Sequence, residues 1–85
     1  MNTSASNPLT EKLSFTDSEM TVFLRDGRKL IVPLVFYSSL ARATLKELNN
    51  YFILGDGEGV HWEDLDEDLS TKGILLGNTH VDRVA

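Results

Sequence analysis

Apolar and polar positions alternate most clearly between Met20 and Val35, where two β-rich runs flank Asp26-Gly27. Alternation of this kind marks half-buried strands, and Asp-Gly is the pair favoured in a two-residue type I′ hairpin. That turn pairs Arg25 with Arg28, Leu24 with Lys29, Phe23 with Leu30, Val22 with Ile31 and Thr21 with Val32. Both faces then carry apolar groups, so the hairpin needs cover on one side from a helix and on the other from a neighbouring element or a partner. Upstream, Leu13 and Phe15 alternate with Ser14 and Thr16 as a short strand or extended lead-in. Downstream, Pro33 lacks the N–H a ladder needs and ends the second strand at an edge or bulge.

The period then changes. Leu40, Ala41, Thr44, Leu45 and Leu48 recur at helical spacing, predicting one main helix capped by Ser38 or Ser39 and running to about Tyr51. Tyr51 to Leu54 has strand composition, Gly55 to Gly59 interrupts it, and Val60-His61-Trp62 resumes extended structure. A short C-terminal helix is expected around Ser70 to Leu76, with Ser70 as cap and Gly77 as its stop. The expected fold is α+β: a small antiparallel sheet with one main helix packed on it and a short helix at the end. The expected divisions are a disordered leader over 1–11, a single domain over 12–77 and a tail over 78–85.

Composition narrows the function classes. Cysteine is absent from the 85 residues, which excludes disulfides, thiolate metal sites and cysteine nucleophiles. A chain this short builds a thin core, which pairing with a second copy would supplement, so a homo-oligomer is expected. The N-terminus lacks a signal-peptide pattern and no apolar run spans a bilayer, giving a cytoplasmic expectation with no membrane contact. Residues 1–55 carry five acidic and six basic side chains, whereas 56–85 carry eight acidic and two basic. Phosphate backbones are repelled by such an acidic half, which argues against generic nucleic-acid binding. Arg25, Arg28 and Lys29 remain as a small basic spot for an alternative, nucleic-acid-binding reading.

The densest candidate chemistry lies in Gly59 to Ser70, which holds the only Trp, one of two His and five of the thirteen acids. Gly55, Gly57 and Gly59 do not make a phosphate loop, because Asp56 and Glu58 stand between them and no Gly-Lys-Ser/Thr follows. Asp64, Asp66 and Asp68 mimic the start of a calcium loop, but Leu69 and Leu75 occupy the positions that need glycine and glutamate. The acids therefore read as a solvated turn. His61-x-Glu63 lacks the cysteine pair of a zinc deaminase, and an acid/base pair there has no nucleophile or oxyanion arrangement beside it. No metal, cofactor or catalytic residue is assigned, and the third reading, an enzyme using His61 and its carboxylates, ranks below binding.

Asp26-Gly27-Arg28, Val32-Pro33-Leu34, Phe36-Tyr37, Leu40, Ala43-Thr44, Gly57, His61-Trp62, Leu65 to Ser70 and Leu75-Leu76-Gly77 together resemble the small prokaryotic family catalogued as domain of unknown function 2442 (DUF2442). The resemblance covers about residues 15 to 77, with Phe36 where the family commonly has tryptophan. It implies an α+β domain, often encoded beside another small protein in arrangements like toxin–antitoxin pairs. It implies no activity and supplies no residue roles. Some longer relatives append a helix-turn-helix, for which there is no room after Gly77. The leading expectation is an interaction module binding a small basic protein through Glu63, Asp64, Asp66, Glu67 and Asp68, with Tyr37 and Trp62 as aromatic anchors.

Overall fold

The computed structural model describes residues 8–82. Their strands form two three-stranded antiparallel sheets where the sequence predicts one. The first contains β1 (Thr10–Phe15), β2 (Glu19–Leu24) and β3 (Lys29–Pro33). A 3-10 turn at Leu34–Phe36 leads to α1 (Ser38–Ala41) and α2 (Leu45–Leu48). The second sheet contains β4 (Phe52–Leu54), β5 (Gly59–Trp62) and β6 (Glu67–Ser70), followed by α3 (Thr71–Leu75). The class is α+β, and none of its helical elements is long and apolar enough to cross a membrane.

The first hairpin is shifted by one residue from the predicted register. Val22 pairs with Leu30, Met20 with Val32 and Phe23 with Lys29. The loop is Arg25-Asp26-Gly27: Gly27 N–H donates to Leu24 O at 3.0 Å, and Leu24 N–H to Arg28 O at 2.8 Å. Only Gly27, at φ 98°, takes the left-handed conformation, as in a type I turn followed by a glycine bulge. Asp26 is thereby spared a positive φ, and its carboxylate accepts from Arg28 N at 3.0 Å and Arg28 Nε at 2.9 Å. The shift also changes the faces, because a one-residue slip inverts a strand. Met20, Val22, Leu24 and Val32 all lie on one buried face, and Ile31 is left 64% exposed.

The single main helix is replaced by two short turns. Thr44 has extended backbone, φ −76° and ψ 161°, and caps α2. Thr44 Oγ1 accepts from Glu47 N at 3.1 Å, while Glu47 Oε1 accepts from Thr44 N at 2.8 Å. This capping box starts a new helix inside the predicted one. It carries Leu45 to the surface, while Leu40 and Leu48 stay buried. The N-cap of α1 is Tyr37, not Ser38 or Ser39, and it makes no side-chain cap bond. The C-terminal helix forms as expected, with Ser70 Oγ accepting from Gly73 N at 2.8 Å and Gly77 beyond it at φ 81°.

Thr10 is fully buried and joins the two sheets, so the first strand starts inside the span read as leader, whose residues 1–7 lie outside those described. Thr10 N–H donates to Gly57 O at 2.8 Å, and Thr71 Oγ1 donates to the same carbonyl at 2.6 Å. With its one proton committed there, Thr71 Oγ1 must accept from Thr10 Oγ1 across the 2.7 Å between them. The core beneath is built on Trp62, Tyr37, Met20, Leu40, Val22 and Val60, all essentially inaccessible. Trp62 Nε1–H donates to Leu48 O at 2.9 Å, which satisfies a carbonyl at the end of α2 while fixing the indole.

Candidate functional site

The acidic segment is not one solvated turn. Glu63 to Asp66 turn the chain, with Asp66 in the left-handed region at φ 49°, and Glu67 then enters β6. Successive residues of a strand face opposite ways, so Glu67 and Asp68 are sent to different sides of the sheet. Register defines both sides. Ile53, Val60 and Leu69 form an inner row, with Trp62 and Glu67 beside it; Phe52, His61 and Asp68 form a row on the outer face.

On the outer face His61 sits between two carboxylates. Its Nδ1 lies 2.5 Å from Asp68 Oδ1 and its Nε2 2.8 Å from Glu63 Oε1. Hydrogen bonding to Glu63, then to Asp68, raises the His61 pKa above its ordinary 6.5, against a smaller opposing effect of burial. The protonated ring is thus the matched partner of both acids, and neither nitrogen is free to abstract a proton. The carboxylates flank opposite ring nitrogens, so they cannot meet at one ion with the imidazole. Among the described residues no group of three or more His, Asp or Glu is arranged to hold a metal. Asp64 accepts from Asn50 Nδ2 at 2.9 Å and is exposed, as is Asp66.

On the inner side Glu67 is largely covered and gathers a second histidine. Its Oε2 accepts from Ser39 Oγ at 2.8 Å, and its Oε1 from Asp68 N at 3.1 Å, with His80 Nδ1 3.3 Å away. Ser39 and His80 both address the carboxylate and not each other, so the serine has no base to activate it. His80 is held by the backbone: its N–H donates to Phe36 O at 2.8 Å and its carbonyl accepts from Ser38 N at 2.9 Å. Residues 78–82, read as tail, therefore form a strap across the 3-10 turn and α1, pinned further by Arg42–Asp82 at 2.8 Å.

Two proposed anchors fall in the core. Trp62 and Tyr37 are 0% and 1% exposed and cannot meet a partner on this surface. Burial, and secondarily the Glu67 charge, pushes the Tyr37 hydroxyl pKa up. That hydroxyl has no hydrogen-bond partner among the described residues. Leaving such a group unsatisfied costs about 1–3 kcal/mol. The aromatic of the second sheet that faces outward is Phe52, 55% exposed and directly opposite His61. The strand composition of Tyr51 to Leu54 marked it as a strand residue, and its pairing with His61 sets its face. His80 and Ser39 had no such signal, because only tertiary docking of the strap brings them to Glu67.

The basic residues of the alternative reading all lie at or beside the β2–β3 loop. Arg28 is paired with Asp26 at the hairpin loop, whose carboxyl pKa is lowered chiefly by the Arg28 backbone N–H. Lys29 Nζ lies 5.4 Å from the centroid of the Phe23 ring and Lys12 Nζ 4.9 Å from it. Arg25 is exposed.

These features define a small two-sheet α+β fold with one charged outer face and one covered acid–histidine cluster. The chain belongs to the family described as "Protein of unknown function (DUF2442)", whose model matches residues 11–80. It is similar over 91% of its length to 95% of a protein of unknown function from Rhodospirillum rubrum, at 30% identity and a TM-score of 0.77. An uncharacterized protein of Chromobacterium violaceum, solved by NMR, shares 25% identity at a TM-score of 0.71, over 84% of this chain and 67% of that one. No curated protein matches the chain.

Proposed function

We propose that the protein is a non-enzymatic, antitoxin-like interaction module of the cytosol that docks a small basic partner protein on the outer face of β4–β5–β6. The observation that carries this reading is the exposed Phe52 ring, set in the same cross-strand row as His61 and Asp68, with Glu63 held on His61 Nε2 and the exposed Asp64 and Asp66 following in the turn. An apolar anchor inside a charged rim is how interfaces combine affinity with steering: the ring supplies burial, and the carboxylates attract a cationic surface and orient it. The acids named from sequence keep their place in this role except Glu67, whose oxygens are turned inward to Ser39 and His80. Phe52 replaces Trp62 and Tyr37 as the anchor.

The test begins with native-cell co-purification and mass spectrometry, followed by recombinant production of any stoichiometric small basic protein recovered. Phe52→Ala should weaken that complex by about tenfold or more. Asp66→Asn with Asp68→Lys should weaken it further and flatten its salt dependence; asparagine is chosen because it tolerates the left-handed backbone at position 66. Circular dichroism should stay unchanged. Recovery of the protein alone, as a homo-oligomer, or variants that bind as tightly as the parent, would overturn the reading.

A further inference from the structure

We propose that the cleft between β6, α1 and the 78–82 strap binds a primary alkylammonium group, with Tyr37 Oη and Glu67 Oε2 as its acceptors. This site does not rest on the partner face described above, which lies on the other side of β6; Asp66, in the turn that leads into β6, is the one residue named for both. An open groove of about 730 Å³ is lined by Ser39, Asp66, Glu67, His80 and Asp82, and a smaller cavity of about 50 Å³ by Tyr37, Leu69, Ser70, Ile74, Asn78 and His80. His80 belongs to both walls, and the Glu67 charge acts on the Tyr37 hydroxyl.

Three observations converge on the chemistry. The first is the orphaned Tyr37 hydroxyl, 1% exposed and without a partner among the described residues, which a phenylalanine at the same position would avoid burying. The second is acceptor capacity at Glu67. A carboxylate has about four lone-pair sites, and the bonds from Ser39, Asp68 N and His80 leave one on Oε2. The third is charge. Asp66 and Glu67 make the groove anionic, whereas Asp82 is already paired with Arg42. A cation carrying N–H donors answers all three. The smaller cavity, at about 50 Å³, has room for a compact ammonium group. Leu69 and Ile74 provide apolar wall for an attached carbon chain.

The test uses the full chain and two probes, n-butylamine and Nα-acetyl-lysine methylamide, in a ¹H–¹⁵N titration near neutral pH with n-butanol as the uncharged control. Saturable shifts are expected at the backbone amides of Tyr37, Ser39, Glu67 and His80 with both amines and none with butanol. Tighter binding of the lysine derivative would place the ammonium on a polypeptide, and tighter binding of butylamine on a small free amine. Tyr37→Phe and Glu67→Gln should each weaken binding by about fivefold or more. In the absence of amine, Tyr37→Phe should raise the unfolding midpoint by about 4 °C, because it removes a buried hydroxyl that nothing satisfies. A lower midpoint, or shifts that never saturate or that map to Glu63 and Asp64, would overturn the proposal.

Discussion

The two sheets present the same kind of outer row with opposite outcomes. In the first, Lys12, Phe23 and Lys29 lie side by side, and the aromatic occupies the centre with an ammonium over it from each neighbouring strand, at 4.9 and 5.4 Å. In the second, Phe52, His61 and Asp68 lie side by side, and the cation occupies the centre. The charges of the second row satisfy one another, and the ring stands at the open edge with 55% of its surface in water. Whether an exposed aromatic is available to a partner is therefore set by what stands across from it. Phe23 is closed by the chain's own lysines, while Phe52 is left free by the His61–Asp68 pair.

The largest break of this comparison is at the floor of the second sheet. Trp62→Ala removes a wholly buried indole and the donor to Leu48 O, and should cost about 4 kcal/mol. That is much of the roughly 5–15 kcal/mol that holds a small domain folded. Phe23→Ala, on the outer row, should cost only about 1 kcal/mol; urea unfolding of both variants measures the contrast. The turns differ in the same direction. A Cβ at Gly57 would lie 2.5 Å from Thr10 O and 2.8 Å from Thr10 N, at φ 119°, whereas at Gly27 nothing stands within 4 Å. Gly57→Ala must push the two sheets apart where Thr10 and Thr71 join them, and should cost at least about 2 kcal/mol. Gly27→Ala carries only the left-handed backbone penalty, about 1 kcal/mol.

How much of this was legible in the sequence depended on whether the deciding contact was local. The α+β class, the hairpin, the strand breaks at Gly55 to Gly59 and the Ser70-capped helix all rest on neighbours in the chain, and each is present. The register of the first hairpin was legible too, though through a different signal: Met20, Val22, Leu24, Leu30 and Val32 are all even-numbered, so a pairing that matches even with even buries them together. Asp-Gly suggests a two-residue turn, but the buried face outweighs it. Thr44-Leu45-Lys46-Glu47 likewise spelled a capping box inside the predicted helix. What no local pattern revealed is the split of Glu67 from Asp68, which follows from β6 continuing as a strand through acids. The docking of His80 against Tyr37 and Glu67 is a long-range closure of the same kind.

The smallest effect sharpens the comparison most, because only the second sheet has a titrating group at its centre. His61 binds its proton more tightly in the folded chain than free histidine does, through Glu63 and Asp68. A raised folded pKa means that the stabilisation is fully present below the ordinary 6.5 and is lost as pH rises through the folded value. Stability measured by urea unfolding should therefore decline from about pH 6.5 upward, and the decline should disappear in His61→Gln. NMR titration of the imidazole should place its midpoint above that of free histidine, and Glu63→Gln with Asp68→Asn should return it toward 6.5. The Lys12–Phe23–Lys29 row has an aromatic ring at its centre instead. A midpoint that stays put in the double variant would mean that the carboxylates do not hold the ring, and Phe52 would then have lost the neighbour that keeps its face clear.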